Sequence, residues 1–147
     1  NPDKDFISVV KFSPDGTKLA VAYAPPVSKI YFYEVNTKKV GGKPCTGASS
    51  RMTSIDFGQS GEMIHVNTTG YEILFFGTSG GNPGSMSKFK SDELATITSR
   101  FSWATVGIWP ACSDGTDVNS VDRSNSKQFL VTGDDFSKVK IFDFPAT

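Results

Sequence analysis

Gly16 and Gly61 lie 45 residues apart, and so do Phe12 and Phe57. Each glycine closes a polar turn, Ser13-Pro14-Asp15-Gly16 in one case and Gln59-Ser60-Gly61 in the other. Each phenylalanine ends a β-prone run just before that turn, residues 7–12 and 52–57. The runs after the turns, 19–23 and 63–67, keep step. So do the third runs, 29–35 and 72–76, with Tyr33 and Phe76 separated by 43. A third unit follows the same order: 118–123, the turn Ser124-Asn125-Ser126-Lys127, then 129–132, the turn Gly133-Asp134-Asp135, and 138–144. In that last run Val139, Ile141 and Asp143 alternate with Lys140, Phe142 and Phe144, the period of two that a pleated sheet imposes. Phe76 and Phe142 are 66 apart, so the third unit carries an insertion of roughly twenty residues over a spacing of about 40–45. Three registers that agree within each unit exclude a chance match of short apolar runs.

Repeats of three strands and a turn point to sheets stacked on one another. The closing Val-Lys-Ile-Phe-Asp, with Phe142-Asp143, resembles the end of a WD repeat, the blade unit of β-propellers. The expected fold class is all-β: a partial WD40-type propeller of about three antiparallel blades in an incomplete ring, with almost no helix. Blade 1 is placed at about 6–46. Its outer strand is 38–45, where Lys38, Lys39, Lys43 and Pro44 read as a solvated edge that discourages unwanted pairing. Blade 2 is placed at about 51–100, with a mobile inserted loop at 77–90 and an outer strand at 94–99. A connector spans 101–117, including a second apolar run at 101–109. Blade 3 covers about 118–144 and lacks its outer strand. Phe12, Phe57, Phe76 and Phe142 are expected to be buried between sheets.

Composition narrows function by exclusion. Fifteen basic residues balance fifteen acidic ones, which argues against a nucleic-acid binder driven by counterion release. No apolar run approaches the roughly 20 residues that span a bilayer, so no membrane partner is expected. Cys45 and Cys112 fall in separate units without metal-ligand spacing and read as free thiols of a reducing, cytoplasmic compartment.

Local patterns of chemistry fail one by one. Gly77-Thr78-Ser79-Gly80-Gly81 fits the nucleophile elbow, but that motif needs a following helix, and Gly81-Asn82-Pro83-Gly84 cannot start one. The segment from Asp114 resembles a calcium loop, yet its fifth position is Val118 and its twelfth Asn125, where oxygen ligands are required. His65 is the sole histidine. It lies inside a strand and is expected to be a hydrogen-bonded structural or surface residue. No phosphate-binding or dinucleotide fingerprint occurs. The expected protein is no enzyme, with no catalytic, cofactor or metal site.

One family accounts for the insertion and the third unit. Phe101-Ser102-Trp103-Ala104-Thr105, Val106-Gly107-Ile108-Trp109-Pro110, Ser113-Asp114-Gly115-Thr116-Asp117-Val118-Asn119 and 132–139 closely resemble the echinoderm microtubule-associated protein-like family; Tyr71-Glu72-Ile73-Leu74 and 12–16 also fit. The resemblance implies a non-enzymatic, cytoskeletal interaction scaffold. Tubulin, microtubules or adaptor proteins are the implied partners, together with the remaining blades of the same natural chain. It implies structural roles for Trp103, Trp109, Asp114, Gly115, Asp117, Asn119, Gly133, Asp134, Asp135 and Phe136. Partner contact is assigned to the loop carrying Gly77, Asn82, Ser85, Lys88 and Lys90. The alternative is a propeller domain that binds a small ligand, or acts as a hydrolase, at its channel mouth. The buried polar network common in WD repeats is missing at its usual places: Ala48 replaces a histidine, Val27, Gly70 and Phe136 replace the turn aspartate, and Tyr33, Phe76 and Phe142 replace tryptophan. Apolar packing alone is therefore expected to hold the blades. The third strand of blade 3 is left with an open edge, so the expectation is a fragment of a larger protein that in isolation either pairs edges with a second copy or is marginal and aggregation-prone.

Overall fold

Alternating β-branched and aromatic residues favour the extended backbone because their side chains pack well on a pleated surface. In the computed structural model, which describes residues 6–89 and 92–147, those runs form strands with nearly the expected limits. The chain divides into two units, Asn1–Ala95 and Thr96–Thr147. The first holds a four-stranded antiparallel sheet in the order β1 (Ile7–Phe12), β2 (Lys18–Tyr23), β3 (Ile30–Glu34), β4 (Lys39–Cys45), and a three-stranded sheet of β5 (Met52–Phe57), β6 (Met63–Thr68) and β7 (Ile73–Gly77). The second holds a three-stranded sheet in which β9 (Phe129–Asp134) lies between β8 (Val118–Arg123) and β10 (Val139–Asp143). The protein is thus all-β, with three antiparallel sheets of three or four strands, as expected of part of a β-propeller. Among the described residues no helix is long and apolar enough to cross a membrane.

The repeat is visible in backbone detail. In each sheet the first hairpin closes with the same turn: Gly16 N–H donates to the Ser13 carbonyl (2.9 Å), Gly61 to Gly58 (3.0 Å) and Lys127 to Ser124 (2.9 Å). The last residue of each turn is left-handed, with φ of 71° at Gly16, 72° at Gly61 and 59° at Lys127. Glycine adopts that conformation freely, whereas a side chain is strained there. The first strand of every sheet also shifts register at the same place, between Ile7 and Val9, Met52 and Ser54, and Val118 and Ser120. A bulge at one repeat position bends each first strand alike.

The core of the first unit lies between its two sheets. Cross-strand pairing puts Ala20 opposite Phe32 and Ala22 opposite Ile30 on one face of the first sheet. The second sheet answers with Ile55 opposite Val66, Phe57 opposite Ile64, and Ile64 opposite Phe76. These residues form one buried cluster with Cys45 and Met52. The two alanines leave room for Phe32 to reach Phe57, ring centroids 6.3 Å apart and 64° between planes, the edge-to-face geometry that aromatic quadrupoles favour.

Several expectations are corrected. Phe12 does not enter a core: it is 59 % exposed, whereas its repeat partner Phe57 is 1 % exposed. Phe142 is only half-buried. Residues 94–99 do not form an outer strand beside β7. Leu94 instead makes a single antiparallel bridge to Gly58, and Gln59 and Ala95 exchange bonds with Glu93 and Phe57 (both 2.7 Å), so this segment borders the end of β5. The apolar run 101–109 is a short 3₁₀ helix, Trp103–Ile108. The loop after β7 is tethered, not loose. Gly81 N–H donates to the Pro44 carbonyl (3.0 Å), Thr46 N–H to the Gly81 carbonyl (2.9 Å), and the Thr46 hydroxyl to Asn82 Oδ1 (3.0 Å). Gly80 sits so close to Lys43 that a Cβ there would strike its carbonyl.

Packing by apolar contact alone is also corrected. The face of the second sheet opposite the core carries Ser54, Asp56, His65 and Asn67, all of them buried.

Equilibrium urea unfolding checks these assignments. Phe57→Ala costs about 3–5 kcal/mol, the range for deleting a fully buried ring. The equivalent Phe12→Ala costs under about 1 kcal/mol at low protein concentration. Lys127→Gly raises stability by about 1 kcal/mol, because it relieves a left-handed side chain at a solvated turn.

Candidate interaction site

The second unit gathers most of the family-motif residues at one end of its sheet. The turn from β9 to β10 is built by one carboxylate. Asp134 Oδ1 accepts the N–H groups of Phe136 (3.0 Å) and Lys138 (2.9 Å), and its Oδ2 meets Lys140 Nζ at 2.7 Å. Aspartate is suited to this because its short side chain reaches its own backbone two residues on. The Lys140 contact leads, and the two backbone donors add to it, in holding the Asp134 carboxyl below its ordinary value despite desolvation. Next to it lies the 113–119 loop. Asp114 Oδ1 accepts Thr116 N–H (2.7 Å), Asp114 N–H donates to Asp117 Oδ2 (3.1 Å), and Gly115 occupies the bend between them. The two loops are joined: Asp135 N–H donates to the Asp117 carbonyl (2.9 Å), and Asn119 Nδ2 to Asp135 Oδ1 (2.6 Å). Gly133 passes so near Ser120 that a Cβ would stand 3.1 Å from its hydroxyl. On this pinned turn Phe136 projects into solvent.

The 3₁₀ helix Trp103–Ile108 is a second rigid platform. Ser102 N–H donates to Thr105 Oγ1 (3.0 Å), which donates to the Arg100 carbonyl (2.8 Å). Trp109 stacks on Phe101, centroids 5.0 Å apart and planes within 2°, while its Nε1–H donates to Arg100 O (3.3 Å). Ala146 clasps the helix by its backbone, donating to Ala104 O (3.0 Å) and accepting from Gly107 N–H (2.7 Å). Residues three apart eclipse in a 3₁₀ helix, so Trp103 and Val106 emerge on one side. They are 67 % and 62 % exposed. Trp109 is therefore absorbed in internal contacts, and Trp103 is not.

The loop assigned to partner contact divides differently. Gly77 ends β7 and Asn82 serves the tether to Thr46. The Ser85 hydroxyl is exposed and bonded to Ser87 (2.8 Å). Lys88 lies in the 3₁₀ turn Met86–Phe89, and Lys90 is outside the described residues.

Ser79 stands on an exposed turn, with no helix directly after it. Among the described residues no three His, Cys, Asp or Glu side chains are placed to hold a metal. His65 is buried, stacked at 4.9 Å on Phe75 and paired across strands with Asp56. Contrary to expectation, both its ring nitrogens lack a hydrogen-bond partner among the described residues. Burial drives its pKa down to about 4, against the opposing pull of Asp56. Glu72 is a structural carboxylate that sequence reading passed over. Partial desolvation raises its pKa, but donors from Thr68 (2.8 Å), Ser49 N–H (3.2 Å) and Ser50 outweigh this and lower it. It thereby ties the 49–50 loop to the start of β7. The sequence signal was Thr68 four residues before Glu72 across a glycine turn.

Comparison with known proteins bears on the whole chain. The family model for the second β-propeller of echinoderm microtubule-associated protein matches residues 1–147. Human "Echinoderm microtubule-associated protein-like 3" is 38% identical over 146 residues, covering 95% of this chain and 16% of the relative. Mouse "Echinoderm microtubule-associated protein-like 2" is 39% identical over 142 residues, covering 95% and 22%. The "77 kDa echinoderm microtubule-associated protein" of Strongylocentrotus purpuratus is 38% identical over 148 residues, covering 97% and 21%. The chain thus spans between 16% and 22% of the length of these curated relatives.

His65 and the depressed carboxylates all weaken the fold as pH falls, but in pH regions that a titration separates. A histidine whose folded pKa of about 4 lies under its ordinary 6.5 binds a proton more readily when unfolded. Its neutral burial is fully compatible with folding above pH 6.5, and stability falls as pH drops from 6.5 towards 4, by on the order of 3 kcal/mol. Urea midpoints measured across that window should slope for the parent chain and lie flat for His65→Phe. The depressed Asp134 and Glu72 act lower: their contributions are present above the ordinary carboxylate values of 3.8 and 4.5 and are lost as pH falls below them.

Proposed function

This chain belongs to the echinoderm microtubule-associated protein-like family, in its second β-propeller, and from that membership we propose that it works as a non-catalytic interaction scaffold on the microtubule cytoskeleton. Tubulin, as polymer or as soluble dimer, is the proposed partner. The observation that carries this reading is the match along all 147 residues to a propeller of a family whose relatives are named for microtubule association.

The geometry supports a binding role. Recognition residues gain most when the segment that bears them is already ordered, since little conformational entropy is then lost on docking. Trp103 and Phe136 meet that condition: each is exposed, and each rides on a short segment held by several internal hydrogen bonds. Tryptophan is also among the residues that most often dominate binding energy. The loop at Ser85 and Lys88 is proposed as a separate, weaker contact, since its tether through Gly81 and Asn82 holds it against β4.

Co-sedimentation with polymerised tubulin tests the proposal, using the natural protein that contains this propeller. The parent should pellet with microtubules. Trp103→Ala combined with Phe136→Ala should raise the apparent Kd by about tenfold or more, while the melting temperature stays within about 2 °C of the parent because both side chains are exposed. Unchanged pelleting of the double variant removes these two residues from the interface. A parent that neither pellets nor co-elutes with soluble tubulin removes tubulin as the partner.

A further inference from the structure

Acidic and basic residues balance over the whole chain, but they are not evenly spread. No Asp or Glu occurs in residues 35–55, which hold Lys38, Lys39, Lys43 and Arg51. None occurs in residues 73–91 either, which hold Lys88 and Lys90. The fold joins the two stretches. Gly81 forms a parallel bridge to Cys45, fixed by the Gly81 N–H on the Pro44 carbonyl (3.0 Å) and the Thr46 N–H on the Gly81 carbonyl (2.9 Å). Lys38, Lys39 and Lys43 are all exposed. Among the described residues none of their ammonium groups has a carboxylate within ion-pair distance. Glu34 pairs across the ladder with Lys39, but its carboxylate turns over Gly41, where a Cβ would stand 2.9 Å from Oε1.

These lysines line an open strand edge. β4 is last in the order β1-β2-β3-β4, so one row of its backbone N–H and C=O groups faces away from the sheet. Such a row is a template for a further strand. The Gly81 contact shows the edge accepting backbone partners at its far end, through Pro44 and Thr46. Gly80 closes against the Lys43 carbonyl. Among the described residues, nothing pairs with the outer side of residues 39–41. The sheets of this unit meet through their faces, so a further sheet on either side would cover a face and leave this edge as it is. Edge lysines discourage a neutral or basic strand, because pairing would set ammonium groups beside apolar or like-charged neighbours. They favour an acidic one, since opposite charges across a pair of strands attract.

We propose that β4 is the docking edge for an acidic, extended segment of a partner protein, which adds to the sheet beside residues 39–41. Backbone hydrogen bonds supply the pairing, and Lys38, Lys39 and Lys43 select acidic side chains. The loop at Gly80 and Gly81 stops the added strand at its far end. The proposal uses neither Trp103 nor Phe136, and it holds whether or not tubulin is the partner of those residues.

The probe is a blocked, fluorescent peptide of alternating Glu and Thr, about seven residues long to match β4. Anisotropy with the natural protein that contains this propeller should give a Kd of roughly 100 µM or tighter at low salt. Replacing every Glu by Gln should weaken binding by about tenfold or more. Two further versions, methylated on alternate backbone nitrogens, keep all the charge. At least one should lose about tenfold, because it cannot donate to the edge. Lys39→Glu combined with Lys43→Glu should also weaken binding by about tenfold or more, while the melting temperature stays within about 2 °C because both side chains are exposed. Bound peptide should slow amide hydrogen exchange in residues 38–43. Absence of binding at about 1 mM peptide overturns the proposal. So does equal binding of the Gln peptide or of both methylated peptides, which would mean that acidity or strand pairing is not read. Unchanged binding by the double variant, or unchanged exchange in residues 38–43, would place the peptide elsewhere and overturns it too.

Discussion

The structure of the first unit depends on a mismatch of size between two sheet faces. Two sheets packed face to face lie about 10 Å apart, and large residues on both sides would overfill that space. Ala20 and Ala22 in the middle of one face solve the problem. They let Phe32 and Ile30 fill one flank and admit Phe57, Ile64 and Phe76 from the other sheet. The contact is therefore directional: a small-centred face meets a large-centred one. Replacing either alanine by a larger residue would overpack a fully buried position, which commonly costs about 1–3 kcal/mol. In this contact each of the two faces needs a neighbour of the opposite kind, as stacked repeat units generally need one another to bury their faces.

Strand positions were legible in the sequence because the signals that make them are local. The period of two, the turn residues and the spacing of 45 all act within one repeat. Burial is not local. Phe12 and Phe57 have the same repeat position, each pairs with an aliphatic residue (Leu19 and Ile64) and each precedes a turn closed by the same hydrogen bond, yet one is exposed and the other sealed. What differs is whether another sheet faces them, and no window of sequence around Phe12 carries that information. The error at 94–99 is of the same kind. Alternating hydrophobicity marks an extended segment, but it does not say which strand that segment borders, and here the partner is the end of β5. At 101–109 the sequence showed only an apolar run within a connector, because a 3₁₀ helix of six residues has too few turns to show a helical pattern.

Polar residues were harder still. His65, Asp56, Ser54 and Asn67 alternate with apolar residues along β5 and β6 as solvent-facing residues would, and strict alternation ordinarily reads as one wet face. All four are buried. A buried polar face restricts register, because slipping a strand by one residue would expose apolar side chains on one face and bury mismatched polar ones on the other. For His65 the restriction carries a cost, since an imidazole with two unpartnered nitrogens is stable there only in its neutral form.

The motif residues of the second unit divide by function along a physical line. Asp114, Asp117, Asn119, Gly133, Asp134 and Asp135 are occupied with backbone groups and with one another. Their roles follow from loop geometry, and their chemical identities could be read as turn-formers from sequence alone. Trp103 and Phe136 are different. Neither fills a core, and an exposed aromatic ring does nothing for the turn that carries it. An apolar side chain that folding leaves in water contributes free energy only when something else removes it from water, at about 25 cal/mol for each Å² buried. The hydrogen bonds that fix the Asp134 turn and the Trp103 helix are thus best understood through what they present. They hold two large apolar side chains in defined positions outside the core, where the gain from burying them is still available to a partner.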